Sequence, residues 1–416
     1  MKIIILPSGY QFPHNYGIAN FYATIDASKK EQVVDFALEP LAQTDDRHAF
    51  IIWGDTQIWD KEDARQLNEV SAPETRKVIE SLGNQPVHGM SLGDLVFDKF
   101  ELFPDYKAAV AKTGVPFFQV IGNHDMDLGV RSDEGSDKTY REQFGPTYYS
   151  FNRGKLHYVV LDNVFNIRPS RGYIGYIPEN QLAWLEKDIE AVPAGSTVVV
   201  CLHIPTKTGA AKRAGLREES PAGNNTNRDV LYKMLKPFNA HIMSAHTHVS
   251  ENWVEGNLME HNTATVCGAW RSGPVCSDGC PPGFEVYQVD ADKLSWYYHP
   301  MRGKKEDQLR LYAPGKSADK PKHVVANVWN WDPGWKVEWW QDGKAMGEME
   351  QFTGKDPWAV ELYLGPQLPS NHKWVEPSLT EHLFAANIGN NSAKEVLVKV
   401  TDRFGVVFEE RIMINS

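Results

Sequence analysis

Two patterns of apolar residues divide the chain. In the first half, short continuous apolar runs recur at residues 49–53, 87–92, 116–121, 157–161, 197–202 and 240–244. Between them lie segments whose apolar residues return every three or four positions. Residues 73–82, 106–112 and 178–189 read as helices, the last with Pro178 at its start and Leu182, Leu185 and Ile189 on one face. Continuous apolar runs suit strands covered on both faces, and strands alternating with helices predict a layered α/β domain.

Beyond Gly256 the pattern changes to short strand-like runs at 263–267, 284–289 and 294–298. A polar stretch punctuated by Pro and Gly follows at 312–321 and reads as a linker. After it every run is strand-like: 323–329, 336–340, 359–363, 395–400 and 406–412, with turns at Asp342-Gly343 and near Gly405. The expected organisation is an N-terminal extension over 1–45, an α/β domain over 46–300, a linker over 301–320 and a β-sandwich over 321–416. The opening Met1-Lys2-Ile3-Ile4-Ile5-Leu6 reaches Pro7 too soon for a signal peptide and is read as a strand. No apolar run is long enough to span a membrane.

The 416 residues and 42% hydrophobic content fit two or three folded domains and exclude wholesale disorder. The 43 Lys+Arg against 54 Asp+Glu give a net charge of −11, which argues against a general binder of nucleic acid or anionic membrane. Anionic small substrates stay possible where metal ions supply local positive charge. Four cysteines include Cys276 and Cys280, which lack a second Cys/His pair for a zinc knuckle; a small disulfide loop is the alternative. Seven of thirteen Trp fall in 321–416, and are expected in the sandwich core and domain interface rather than in a glycan platform.

The chemistry gathers where apolar runs end. Gly54-Asp55-Thr56-Gln57, Gly93-Asp94, Gly122-Asn123-His124-Asp125, His203 and His246-Thr247-His248 each follow such a run. Ligands bind at the carboxyl ends of strands in α/β sheets, and a glycine there lets the chain turn and present the next side chain. Asp, Asn, Gln and His together form a mixed oxygen and nitrogen donor set suited to Mn, Fe, Zn or Ni. Singly each segment is an ordinary turn; in this order they are an improbable coincidence.

In that order the segments resemble the calcineurin-like metallophosphoesterases, whose pattern is Asp-x-His, Gly-Asp, Gly-Asn-His-Asp/Glu, a His, and Gly-His-x-His. Gln57 stands where many members carry His, and Ala245 replaces the last Gly. The amide oxygen of Gln57 can still ligate. Residues 265–416, including Gly268-Ala269-Trp270-Arg271-Ser272-Gly273 and Thr401-Asp402-Arg403-Phe404-Gly405, are similar to a C-terminal β domain of a bacterial subgroup. Residues 1–45 resemble the tail of that subgroup's N-terminal β domain.

The resemblance implies a four-layer α/β/β/α metallophosphoesterase sandwich with a C-terminal all-β sandwich domain. It implies two divalent or trivalent metal ions, one held by Asp55, Gln57, Asp94 and His248, the other by Asp94, Asn123, His203 and His246. The implied activity is hydrolysis of a phosphomonoester or phosphodiester by a metal-bound hydroxide. His124 would contact the phosphate or protonate the leaving oxygen, with Asp98 or Asp125 holding its imidazole. Asn123, His124 and Arg271 are the expected substrate contacts. Nucleic acid is an improbable substrate. The alternative is a non-catalytic glycan- or protein-binding protein on a phosphoesterase scaffold. By resemblance the protein is periplasmic or secreted; without a signal segment the alternative is cytoplasmic.

Overall fold

The structure, a computed structural model, describes residues 1–168, 172–389 and 393–414. Its first sheet runs, edge to edge, Lys293–Pro300, Gly283–Asp290, Arg47–Trp53, Val87–Leu92, Phe117–Val120, Ile18–Ala19 and His14–Asn15. The second runs Glu251–Glu255, Leu258–Asn262, Asn239–Ser244, Thr197–Cys201, Leu156–Val160 and Tyr149–Arg153. The central strands of both are parallel, so their carboxyl ends share one rim in each sheet.

Strand alternation builds the layers. In Arg47–Trp53, Phe50 and Ile52 face the second sheet and pack with Met90, Phe118, Tyr158 and Val199. Ile51 and Trp53 face outward against the helices Ala72–Ser81 and Phe103–Thr113 through Val78, Ile79, Tyr106 and Val110. On the far side, Val198, Val200 and Ile242 meet Leu182, Leu185, Leu231 and Leu235 from the helices Glu179–Ile189 and Arg228–Leu235. The result is helix, sheet, sheet, helix. The N-terminal segment adds Leu6, Phe12 and Phe21 to the core between the sheets.

The C-terminal domain consists of two four-stranded antiparallel sheets. One orders Leu309–Tyr312, His323–Val328, Leu379–Asn387 and Glu350–Lys355; the other orders Lys344–Glu348, Lys336–Gln341, Glu395–Thr401 and Val407–Met413. Val324, Ala326, Val337, Trp339, Val396 and Val398 form the core between them. Among the described residues no helix is long and apolar enough to cross a membrane.

Three expectations are corrected. Residues 359–363 are not a strand; they lie in the helix Pro357–Leu364, whose cap Asp356 accepts hydrogen bonds from the Trp358 and Ala359 amides. A short apolar run does not reveal its period, and the Asp-Pro start was the deciding feature. Residues 263–267 form a loop, because their amides are spent elsewhere: Val266 N–H donates to Gly54 O at 2.9 Å and Cys267 N–H to Asp55 O at 3.2 Å. The stretch 301–320 is not simply a linker, since Leu309–Tyr312 pairs with His323–Val328 and buries Leu309 and Leu311. All four cysteines are free and buried.

Candidate metal centre

Glycines bring the strand-end loops within reach of one another. A Cβ on Gly122 would stand 2.0 Å from the Asp94 amide nitrogen and 2.3 Å from Asp94 Oδ1. Only glycine lets the Asn123 loop close on Asp94. The backbone is strained here as nowhere else. Of thirteen non-glycine residues with positive φ among those described, eight are Asp55, Gln57, Asp94, Asp98, His246, His248, Trp270 and Arg271. Such conformations cost about 1–3 kcal/mol each and persist where the surroundings impose them, most often at functional sites.

The seven expected metal ligands are brought together. His203 Nδ1 donates to Leu92 O at 2.7 Å, which leaves the Nε2 lone pair facing inward. That atom lies 3.0 Å from Asn123 Oδ1, 3.4 Å from Asp94 Oδ1 and 3.2 Å from His246 Nδ1. His246 Nε2 meets Ala222 O at 3.1 Å, so its Nδ1 also offers a lone pair. Four acceptor atoms thus converge on one point. His248 repeats the device: Nδ1 donates to Gly268 O at 2.8 Å, and Nε2 faces Asp55 Oδ1 at 3.5 Å. Gln57 Nε2 donates to Asp94 Oδ2 at 2.9 Å. Asp55 Oδ1 and Gln57 Oε1 are buried without a hydrogen-bond partner. Buried oxygens rarely stay unpartnered, and that of Asp55 faces His248. A half-turn of the Gln57 amide exchanges its nitrogen for its oxygen.

The electrostatics call for a cation. Burial alone would raise the Asp94 pKa, yet His203, His124 and His246 hold it well below the carboxylate range. Burial would lower His203, but Asp94 overrides it and lifts the imidazole to about 9, so that a proton holds Nε2 until another cation takes its place. Burial and His203 push His246 down to about 4, which keeps it neutral. This mixed oxygen and nitrogen donor set suits a metal ion.

The remaining residues divide by role. His124 Nδ1 meets Asp98 Oδ1 at 2.9 Å, and its ring stacks on Phe97 at 3.9 Å between centroids. Asp125 does not meet that imidazole. It accepts the amides of Leu95 at 2.9 Å, Val96 at 3.2 Å and Gly122 at 2.9 Å, clamping the Asp94 and Asn123 loops together. Arg271 donates to Thr56 O at 2.8 Å and sits 3.9 Å from Asp63, so its guanidinium braces the Asp55 loop. Asn163 brackets the backbone of Ile204, next to His203, at 3.1 and 2.6 Å.

Trp270 was not foreseen as part of the site. Its ring stacks on His248 at 4.0 Å and meets the exposed Trp374 of the C-terminal domain at 4.5 Å. Trp59 reaches the same domain at His372, 4.9 Å away. The Gly268-Ala269-Trp270-Arg271 run was visible in sequence, but nothing there said which ring it would cover.

Several solved structures are similar to this one at low levels. A purple acid phosphatase from yellow lupin seeds is 15% identical, with a TM-score of 0.41 over 63% of this chain and 52% of that one. GAP50, the anchor in the inner membrane complex of Plasmodium, is 16% identical, with a TM-score of 0.42 over 61% and 84%. A putative 5'-nucleotidase from Staphylococcus aureus is 15% identical, with a TM-score of 0.39 over 61% and 54%. This chain thus spans about half the length of the lupin and staphylococcal proteins. No curated relative matches it. The profile of calcineurin-like phosphoesterases matches residues 33–250, and that of the C terminal of calcineurin-like phosphoesterase matches 260–408. With the strand-end loops ordered as that family requires, the chain belongs to the calcineurin-like phosphoesterases.

Proposed function

We propose that this protein hydrolyses phosphate esters, monoesters or diesters, at a two-metal centre. One ion is held by Asp55, Gln57, Asp94 and His248, the other by Asp94, Asn123, His203 and His246. The observation that carries the reading is the convergence of lone pairs from His203, His246, Asn123 and Asp94, beside the unpartnered oxygens of Asp55 and Gln57. A binding-only scaffold has no use for such a cluster. When bound, the ions supply Lewis acidity toward phosphoryl oxygens and lower the pKa of water.

The protein's own groups do the rest. Asp98 accepts the Nδ1 hydrogen of His124 and supports the imidazolium, whose Nε2–H faces the phosphate and hands its proton to the leaving oxygen. Phe97 sets the plane of that imidazole. Leu92 O and Gly268 O fix the tautomers of His203 and His248. Arg271 acts on the Asp55 loop rather than on substrate.

The test is hydrolysis of p-nitrophenyl phosphate and bis-p-nitrophenyl phosphate after chelation, then with Mn, Zn or Fe restored. Turnover should return with the metal on at least one ester. No turnover on either with both ions bound overturns the reading.

A further inference from the structure

Behind the His246–His248 loop, whose next amide but one, Ser250 N–H, donates to Asp278 Oδ2 at 2.7 Å, three side chains of different chemistry meet where residues 263–282 touch the C-terminal domain. Asp278, Cys280 and His382 are all buried, and one ligand-capable atom of each lies within 4.8 Å of the others. His382 Nε2 is 3.2 Å from Asp278 Oδ2 and 3.9 Å from Cys280 Sγ.

The neighbours settle which nitrogen carries the proton. Asn327 donates Nδ2–H to Asp278 O at 3.0 Å and to Asp356 Oδ2 at 2.8 Å, which fixes its amide orientation. Its Oδ1 is then an acceptor, 2.7 Å from His382 Nδ1, so Nδ1 bears the hydrogen. Nε2 is left facing a carboxylate oxygen. Two acceptors in contact need a cation between them, either a second proton or a metal ion. A proton would complete a two-membered ion pair with no need of a thiol. The third member argues for metal: Cys280 Sγ lies 3.9 Å from Nε2, and Trp329 O lies 3.5 Å from the sulfur.

The geometry points to a structural zinc site formed by Asp278, Cys280 and His382, distinct from the phosphoesterase centre. Tetrahedral zinc with bonds of about 2.3 Å to sulfur and about 2.0–2.1 Å to nitrogen and oxygen places its donors roughly 3.4–3.6 Å apart. The two measured separations, 3.2 and 3.9 Å, bracket that range. A carboxylate, a thiolate and a neutral imidazole balance the charge of Zn²⁺, and a mixed sulfur, nitrogen and oxygen set suits that ion. Trp329 O is the available fourth donor. The Asn327 bond gives the imidazole the outer support that ligating histidines have. Zinc here joins a loop of the α/β domain to the strand Leu379–Asn387.

Cobalt substitution separates this site from the other, whose donors contain no sulfur. The intact protein is stripped by chelation and reloaded with Co²⁺. The expected result is a near-ultraviolet thiolate-to-cobalt charge-transfer band. The band is lost in Cys280→Ser and His382→Ala and kept in Cys267→Ser, whose thiol lies near His248. Asp94→Asn should keep it while abolishing ester hydrolysis, so failure of one site is distinguishable from failure of the other. A cobalt-loaded wild-type protein without the band overturns the proposal even if a variant does not fold, and so does a band that survives Cys280→Ser.

Discussion

Replacing Asp125 by Ala should cost folding stability before it costs chemistry. The carboxylate is fully buried and accepts the amides of Leu95, Val96 and Gly122. Alanine leaves all three donors in the interior without an acceptor. Each unsatisfied buried donor costs about 1–3 kcal/mol, so the sum is about 3–9 kcal/mol. Part of this is returned, because burial and the negative charge of Asp94 push the Asp125 carboxyl up to about 7, and that strain disappears. With roughly half of a mid-range ~6 kcal/mol returned, a net loss of about 3 kcal/mol is still a large share of a typical stability of about 5–15 kcal/mol. It corresponds to a fall in Tm of roughly 6–12 °C for a domain of this size. Urea denaturation of Asp125→Ala beside Asp98→Ala is the assay. Asp98 meets a partly exposed imidazole rather than a set of buried amides, so its removal should cost about 1 kcal/mol and leave the metals in place. Asp125→Ala within ~1 kcal/mol of wild type, with activity lost, would refute the clamp and return Asp125 to the chemistry.

Other substitutions probe the remaining parts. His124→Ala should keep both ions by elemental analysis and lose most of kcat, about 10²–10⁴-fold; loss of metal instead would make His124 a ligand. Trp270→Ala removes a ring worth about 0.5–1.5 kcal/mol from the face of His248, so metal titration should show up to about tenfold weaker binding of one ion, and unchanged affinity would contradict that role. Glu285 is buried, and burial raises its carboxyl from 4.5 to about 8. The folded state therefore holds a proton that the unfolded chain releases, and stability falls as pH rises from about 4.5 to about 8, then levels off. Glu285→Gln should flatten that portion of the urea midpoint against pH, and an unchanged slope would exclude Glu285 as its source.

The gathering of the seven expected ligands at one rim was legible because each stands just past a strand of a parallel sheet. His203 is the clearest case: its apolar strand is unmistakable, and the polar residue after it has nowhere to go but the rim. The choice between Asp98 and Asp125 was not legible. It depends on the path of the chain between Asp94 and His124, since the residue next to the histidine turns into the core and the more distant one turns toward the ring. Arg271 was placed near the rim by the sequence, which does not show the carbonyls of Thr56 and Gln57 that its guanidinium meets. The helix Pro357–Leu364 was missed for want of periodicity, although its Asp-Pro start was in plain view. The Asp278, Cys280 and His382 cluster escaped because its members lie on two domains, with the histidine about a hundred residues beyond the other two.

The pairing of Arg47–Trp53 with Gly283–Asp290 makes the order of synthesis matter. Phe50 sits opposite Tyr287, so the strand that leads into Asp55 leaves the ribosome long before its neighbour exists. Until then one edge of that strand is an open row of amides and carbonyls flanked by apolar side chains, the kind of edge that recruits foreign strands. Pairing so distant in sequence also closes slowly. A chain cut at residue 250 would retain all seven proposed ligands and still leave that edge uncovered. It should aggregate, although no residue of the metal centre is missing.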